Sequence, residues 1–461
     1  MEEKKQQLRP QRGRDGILQY PHLFFAALAL ALLLTDPFHL GPLAGVDYRP
    51  VRHELAPYRE VMARWQRDNG SRLRHGRLEF VGEVFGPESI EFDRHGRGPY
   101  AGLADGRVVR WMGEDAGWET FAVMSPDWSE KVCANGVEST TKKQHEMERR
   151  CGRPLGLRFH GETGELYVAD AYYGLMSVGP NGGVATSLAR EAGGSPVNFA
   201  NDLDIHRNGS VFFTDTSTRY NRKCATAVSL SSAVSTIFPS IVQDFLIIIK
   251  LCRDHLNVLL EGEGTGRLLR YDPETNTAHV VLSGLVFPNG VQISDDQQFL
   301  LFSETTNCRI MRYWLEGPRA GQVEVFADLP GFPDNVRLSS GGGGGGGGRF
   351  WVAIDCCRTA AQEVFAKRPW LRTLYFKLPL TMRTLGKMVS MRMHTLVALL
   401  DGEGDVVEVL EDRGGEVMRL VSEVREVGRK LWIGTVAHNH IATIPYPLEE
   451  QSGSSNVLVG W

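Results

Sequence analysis

A chain of 461 residues with 42% apolar and 23% charged side chains carries enough hydrophobic material for a large buried core. A formal charge of -4, with no basic run interleaved with aromatics, argues against a nucleic-acid partner. The length admits two or three ordinary domains, yet one repeated unit accounts for most of it.

The N-terminus differs from the rest. Residues 1–19 are polar and carry Lys4, Lys5, Arg9, Arg12 and Arg14, and residues 22–34 then read H-L-F-F-A-A-L-A-L-A-L-L-L. That apolar run suits a signal-peptide core and falls short of the ~20 residues of a spanning helix. The cleavage pattern near Leu43-Ala44-Gly45 is poor. Residues 1–45 are therefore expected to be a basic cytosolic leader with a signal peptide, or a signal anchor holding the chain in the membrane through 22–34. Either directs the remainder of the chain into the secretory pathway.

From 75 to 447 one pattern recurs. Its clearest copy, 199–220, reads F-A-N-D-L-D-I-H-R-N-G-S-V-F-F-T-D-T-S-T-R-Y: a polar opener, a short alternating strand, a turn at Asn208-Gly209, and an apolar strand. The pattern recurs from Glu88, Leu155, Asn289, Asp334 and Ser422. Opener and second strand lie roughly eleven residues apart except where a glycine run, 341–348, expands the turn. Six such copies predict an all-β fold, a six-bladed β-propeller, with 448–461 as a tail. Sequons stand at Asn69 and Asn208, two candidate glycosylation sites, the latter doubling as a turn residue.

Two segments interrupt the rhythm. Residues 224–253 add an apolar stretch for which a blade has no room, and are read as an insertion foreign to the fold. Residues 359–388 are basic and amphipathic, suited to capping the channel mouth, touching a membrane surface, or packing as a surface helix. Among seven cysteines, Cys133 and Cys151 bracket a polar segment and are the best candidates for a disulfide, whereas Cys308, Cys356 and Cys357 read as buried thiols.

If the alternating strand is the innermost of each blade, its opener points into the central channel. Glu88, Asn201, Asn289, and Asp334 with Asn335 then present carboxylate and amide oxygens in one phase of the repeat. Hard oxygen ligands without Cys or His suit Ca²⁺. Such an ion polarises a carbonyl or phosphoryl oxygen, which points to hydrolysis of an ester, lactone or phosphotriester, a small-molecule substrate, with Asp334 or Asp202 as base or nucleophile. His438 and His440 form a rival metal half-site that lacks a third ligand. No G-x-S-x-G elbow is present, and no dinucleotide fingerprint sits between a strand and a helix.

The run A-N-D-L-D-I-H-R-N-G-S-V-F-F-T-D-T-S-T-R-Y, with G-R-L-L-R-Y-D-P-E-T, F-P-N-G-V-Q-I-S and E-T-T-N-C-R-I-M-R-Y-W-L-E-G-P, resembles the strictosidine synthase family, in particular its plant strictosidine-synthase-like branch. That branch is similar to the animal adipocyte plasma membrane-associated protein. The signature covers 199–314 apart from the insertion. The resemblance implies a six-bladed propeller in the vacuole or endoplasmic reticulum lumen, with a disulfide near the channel entrance that Cys133 and Cys151 would form. It also implies amine–aldehyde condensation in alkaloid synthesis, catalysed by a glutamate. Ser422 holds that glutamate's position here; Glu423 is next to it and is expected to face away, because one step along a strand reverses the side chain. The chain is also similar to calcium-dependent paraoxonase-type hydrolases at Glu88, Asn201, Asn289, Asp334 and Asn335, with Leu155 where their catalytic histidine stands. The expected function is a calcium-dependent hydrolase, with a condensing lyase or a non-catalytic membrane-associated binding propeller as alternatives.

Overall fold

The strand Phe350–Cys356 shows in miniature how the molecule is put together. Its run Phe350-Trp351-Val352-Ala353-Ile354 is apolar at every position, so both faces need cover. Side chains alternate along a strand: Phe350, Val352 and Ile354 pack with Phe299, Leu301 and Ile310, whereas Trp351 and Ala353 pack with Val424, Leu431 and Ile433. Each sheet is thus sandwiched between two others, and the arrangement closes only as a ring.

The computed structural model describes residues 21–35, 41, 47–68, 70–134, 142–222, 254–341, 347–378, 380, 382–388 and 394–447. The leader before 21, Asn69, the insertion 224–253 and the tail 448–461 lie outside them. Five four-stranded antiparallel sheets and one five-stranded sheet, in which Gly183–Val184 adds parallel to Trp118–Val123 outside four antiparallel strands, together make a six-bladed β-propeller. Their innermost strands are Ile90–Glu91, Pro154–Phe159, Ala200–Ile205, Pro288–Ile293, Gly331–Leu338 and Val421–Val427, which we number blades 1 to 6. Apolar clusters fill the seam between every neighbouring pair, including blades 6 and 1, where Ile441 meets Ile90, Ala101 and Val109. The ring is closed by hydrogen bonding as well. Arg77–Glu79, from the N-terminal side, pairs antiparallel with Ile441 to Thr443 as the outer strand of blade 6.

The openers sit where the pairing slips. The register shifts between Pro154 and Gly156, Ala200 and Leu203, Pro288 and Val291, Pro333 and Val336, and Val421 and Glu423. A bulge inserts unpaired residues and re-aims their side chains, which lets adjacent residues leave the strict alternation of a pleated strand.

Helices and one extended segment cover one end of the ring. Counting along the chain, the described helices are α1 (Pro21–Thr35), α2 (Tyr58–Arg64), α3 (Glu130–Cys133), α4 (Lys142–Cys151), α5 (Asp254–Glu261), α6 (Ala360–Ala366), α7 (Pro369–Lys377) and α8 (Met382–Met388). Thr359 caps α6 by accepting the Gln362 amide at 3.0 Å, and Pro369 opens α7 at the position where a missing amide hydrogen costs nothing. Leu260, Phe365, Tyr375, Phe376 and Leu385 from α5 to α8 form one apolar cluster with Tyr48. The segment 47–57 threads among them: the Val51 amide donates to the Glu261 carbonyl at 3.0 Å, and the buried Arg372 donates to the Val51 carbonyl. Residues 359–388 thus cap the channel, with 47–57 as a strap.

Cys133 and Cys151 are joined in a disulfide linking α3 to α4. Cys308 is a buried thiol; Cys357 is not, being disulfide-bonded, which corrects the reading of it as a thiol. Asn208 is exposed in its turn, its Oδ1 accepting the Ser210 amide at 3.0 Å. Among the described residues no helix is long and apolar enough to cross a membrane; α1 has 15 residues.

Candidate functional site

The channel is layered. Deepest, Arg158 of blade 2 donates to Asp204 of blade 3, Glu91 of blade 1 and Gln292 of blade 4 at 2.9–3.0 Å, and Arg425 of blade 6 also reaches Glu91. Burial alone would raise the Glu91 carboxyl, but Arg425 and Arg158 hold it below the usual range. Above this layer lies Arg337, fully buried, which donates to both oxygens of Asp202 at 2.6 and 2.9 Å and also to Glu423. Glu423 accepts from Ser89 Oγ at 2.8 Å and Asn335 Nδ2 at 3.2 Å as well. These two layers plug the axis.

The open end is a cavity of about 240 Å³ whose lining includes Glu88, Asn201, Asn289 and Asp334. Glu88 Oε2, Asn201 Oδ1, Asn289 Oδ1 and Asp334 Oδ1 are buried and have no hydrogen-bond donor, and the same is true of Asn335 Oδ1 beside the cavity. The amide nitrogens are committed elsewhere. Asn201 Nδ2 donates to Thr216 Oγ1 at 3.1 Å and Asn289 Nδ2 to Thr305 Oγ1 at 3.3 Å, and each threonine in turn donates to the next blade, at Pro288 O (2.8 Å) and Pro333 O (2.7 Å). The amides are therefore oriented with oxygen free, as a hard cation requires and as a hydrogen-bonded core does not.

The charge balance agrees. Burial raises the Glu88 carboxyl despite Arg153, whose Nη2 is 3.5 Å away, and Arg222. Burial, then the neighbouring Glu88 and Asp355 carboxylates, raises Asp334 well above the usual range. Two buried carboxylates pushed upward and three donor-less amide oxygens fit a divalent cation. Among the described residues no cluster of three or more His, Cys, Asp or Glu offers a competing metal site. His438 and His440 stack on each other with ring centroids 5.4 Å apart and gain no third ligand among those residues.

Two sequence candidates lie elsewhere. Asp202, considered as a base, is consumed by Arg337 and does not line the cavity. Ser422 Oγ donates to the Glu88 carbonyl at 2.8 Å, tying blade 6 to blade 1. Glu423 is not turned away from the channel as strict alternation predicts; the bulge after Val421 brings it inward onto Arg337. Leu155 packs with Ala171 and Phe199.

The walls above the oxygens are apolar: Phe199, Leu259, Leu260, Phe287, Phe332, Phe365 and Leu385. Sequence reasoning missed three ionisable residues in the lining, Arg222, His53 and Asp355. His53, from the strap, lines the cavity, and burial together with Arg372 lowers its imidazole to about 3. Asp355, at the end of the second strand of blade 5, also lines it, and burial pushes its carboxyl up to about 7. Thr216 and Thr305 were legible in retrospect, since both follow the second strand of their repeat in T-D-T and E-T-T.

Residues 72–111 match the family of strictosidine synthase-like N-terminal segments, and residues 249–318 match the strictosidine synthase family. Over 443 residues the chain is 59% identical to Arabidopsis thaliana strictosidine synthase-like 13, covering 95% of this chain and 98% of that one. It is 34% identical over 373 residues to the adipocyte plasma membrane-associated protein of Salmo salar, covering 79% and 76%. Among solved structures, a gluconolactonase of Xanthomonas campestris superposes with a TM-score of 0.47 at 14% identity, covering 87% of this chain and 97% of that one. The calcium-binding protein regucalcin of Agrobacterium tumefaciens does so with 0.45 at 12%, covering 80% and 92%.

Proposed function

Since the chain belongs to the strictosidine synthase-like family, we propose that it is a calcium-dependent hydrolase of esters or lactones working at the open end of its propeller channel. The observation that carries this reading is the set of buried, donor-less oxygens on Glu88, Asn201, Asn289 and Asp334 in one cavity. Those four residues, with Asn335 adjoining, would hold the ion, and calcium bound there supplies Lewis-acid polarisation of a substrate carbonyl.

The chain's own residues supply the rest. Thr216 and Thr305 keep the amide oxygens aimed into the cavity. The phenylalanine and leucine walls hold an apolar acyl or alkyl group and exclude water around it. Asp355 stands on the wall as a carboxyl poised near neutrality, suited to take the proton of an attacking water. The condensing lyase is disfavoured because the position of its glutamate holds Ser422, bonded to the Glu88 carbonyl, and the adjacent Glu423 is neutralised by Arg337. The Cys133–Cys151 disulfide favours an oxidising compartment, the endoplasmic reticulum lumen or the vacuole.

Aryl esters and aliphatic lactones, assayed with calcium and with a chelator, test the reading. Turnover that chelation abolishes and calcium restores supports it. Turnover indifferent to chelation, or condensation of tryptamine with secologanin, overturns it.

A further inference from the structure

The roof over the cavity exposes apolar and cationic side chains together on its outer face. On α6, Gln362, Phe365 and Ala366 line the cavity, and Val364, on the opposite side of the helix, is 55% exposed. At the start of α7, Trp370 is 59% exposed. Residues 360–388 carry six basic side chains and one acidic, in a chain whose formal charge is -4. The single acid, Glu363, is paired with Lys367, whereas Arg368 and Lys387 are exposed. Aromatic and aliphatic side chains among cations are the composition of a surface that settles into an anionic lipid interface.

The position of the N-terminal helix adds a second observation. Gly41 lies so close to the Phe376 carbonyl of α7 that a β-carbon on it would overlap the oxygen. Thr35, the last residue of α1, is six positions earlier, so the end of α1 lies within ~20 Å of the roof. Leu23, Phe24, Phe25, Leu28, Leu30 and Leu32 of that helix are exposed. The C-terminal end of the apolar helix is therefore tethered near the cationic roof.

We infer that the outer face of α6 and α7 docks on an anionic lipid bilayer, with Trp370 and Val364 entering the interface and Arg368 meeting the headgroups. The cavity mouth then faces the bilayer, and apolar substrates reach the channel from the lipid phase. The docking itself does not depend on the chemistry in the channel.

Amide hydrogen exchange of the full chain, with and without vesicles, is the test. Phosphatidylcholine vesicles containing phosphatidylserine should slow exchange over 360–378, and pure phosphatidylcholine should not. Each basic residue near an anionic surface is worth about fivefold in affinity, so Arg368→Glu should weaken binding by at least that factor. The double variant Val364→Ser, Trp370→Ser should abolish the slowing while blade exchange stays unchanged. Slowing confined to α1, or equal with both vesicles, overturns the inference. So does slowing over 360–378 that rises with protein concentration in the absence of lipid, which would make the face a contact between copies of the chain.

Discussion

Arg337 grips both carboxylate oxygens of Asp202, Nη1 to Oδ2 at 2.6 Å and Nη2 to Oδ1 at 2.9 Å, with both side chains fully buried. The same guanidinium reaches Glu423, so one cation from blade 5 neutralises carboxylates from blades 3 and 6. Burial lowers the tendency of such a group to stay protonated, yet Asp202 and Glu423 more than offset it and raise Arg337 further.

Breaking that contact should be costly. Arg337→Met leaves two buried carboxylates without a counter-charge and should lower folding stability by about 3–5 kcal/mol in urea denaturation. Asp202→Asn should likewise shift the denaturation midpoint. An unchanged midpoint with lost hydrolysis would return Asp202 to the role of base.

The threonines offer a finer probe of the ring. Asn201→Ala and Asn289→Ala should eliminate calcium binding measured by titration calorimetry. Thr216→Val and Thr305→Val keep the amides but release their orientation, and should weaken binding about 10–100-fold. Equal affinity in the threonine variants would mean that the amide oxygens are not ligands.

Acidity should act oppositely on the free and the loaded protein. Glu88 and Asp334 are raised above the usual carboxylate range and Asp355 to about 7, so without metal their contribution to stability is greatest at low pH and is lost as pH rises through those values. Calcium needs Glu88 and Asp334 ionised, so its binding strengthens over the same rise. The melting temperature in chelator should fall between about pH 4 and 7, and the gain on adding calcium should grow over the same range. A gain that is constant with pH would detach these carboxylates from the metal.

Asp355→Asn separates proton transfer from metal binding. Turnover should drop about 10²–10⁴-fold and the pH–rate limb near neutrality should vanish, with calcium affinity altered far less. Loss of calcium binding instead would make Asp355 a ligand.

The periodic pattern by itself determined the six blades and the ring position of Glu88, Asn201, Asn289 and Asp334, because repeat phase and strand alternation are local properties of the chain, whereas the choice among the three readings of 359–388 needed the tertiary structure. The plug was also written there, unread: the residue three after each opener is polar or charged in every copy, namely Glu91, Arg158, Asp204, Gln292, Arg337 and Arg425. Which of these pair, and that Arg337 holds Asp202 and Glu423 in buried ion pairs, only the tertiary structure decided. Bulges re-aim neighbouring side chains through backbone pairing that a two-residue period cannot express, and partners on different blades meet only when the ring closes. The same holds for His53 and Asp355, which no motif marks and which reach the cavity because a strap and a strand end at its wall.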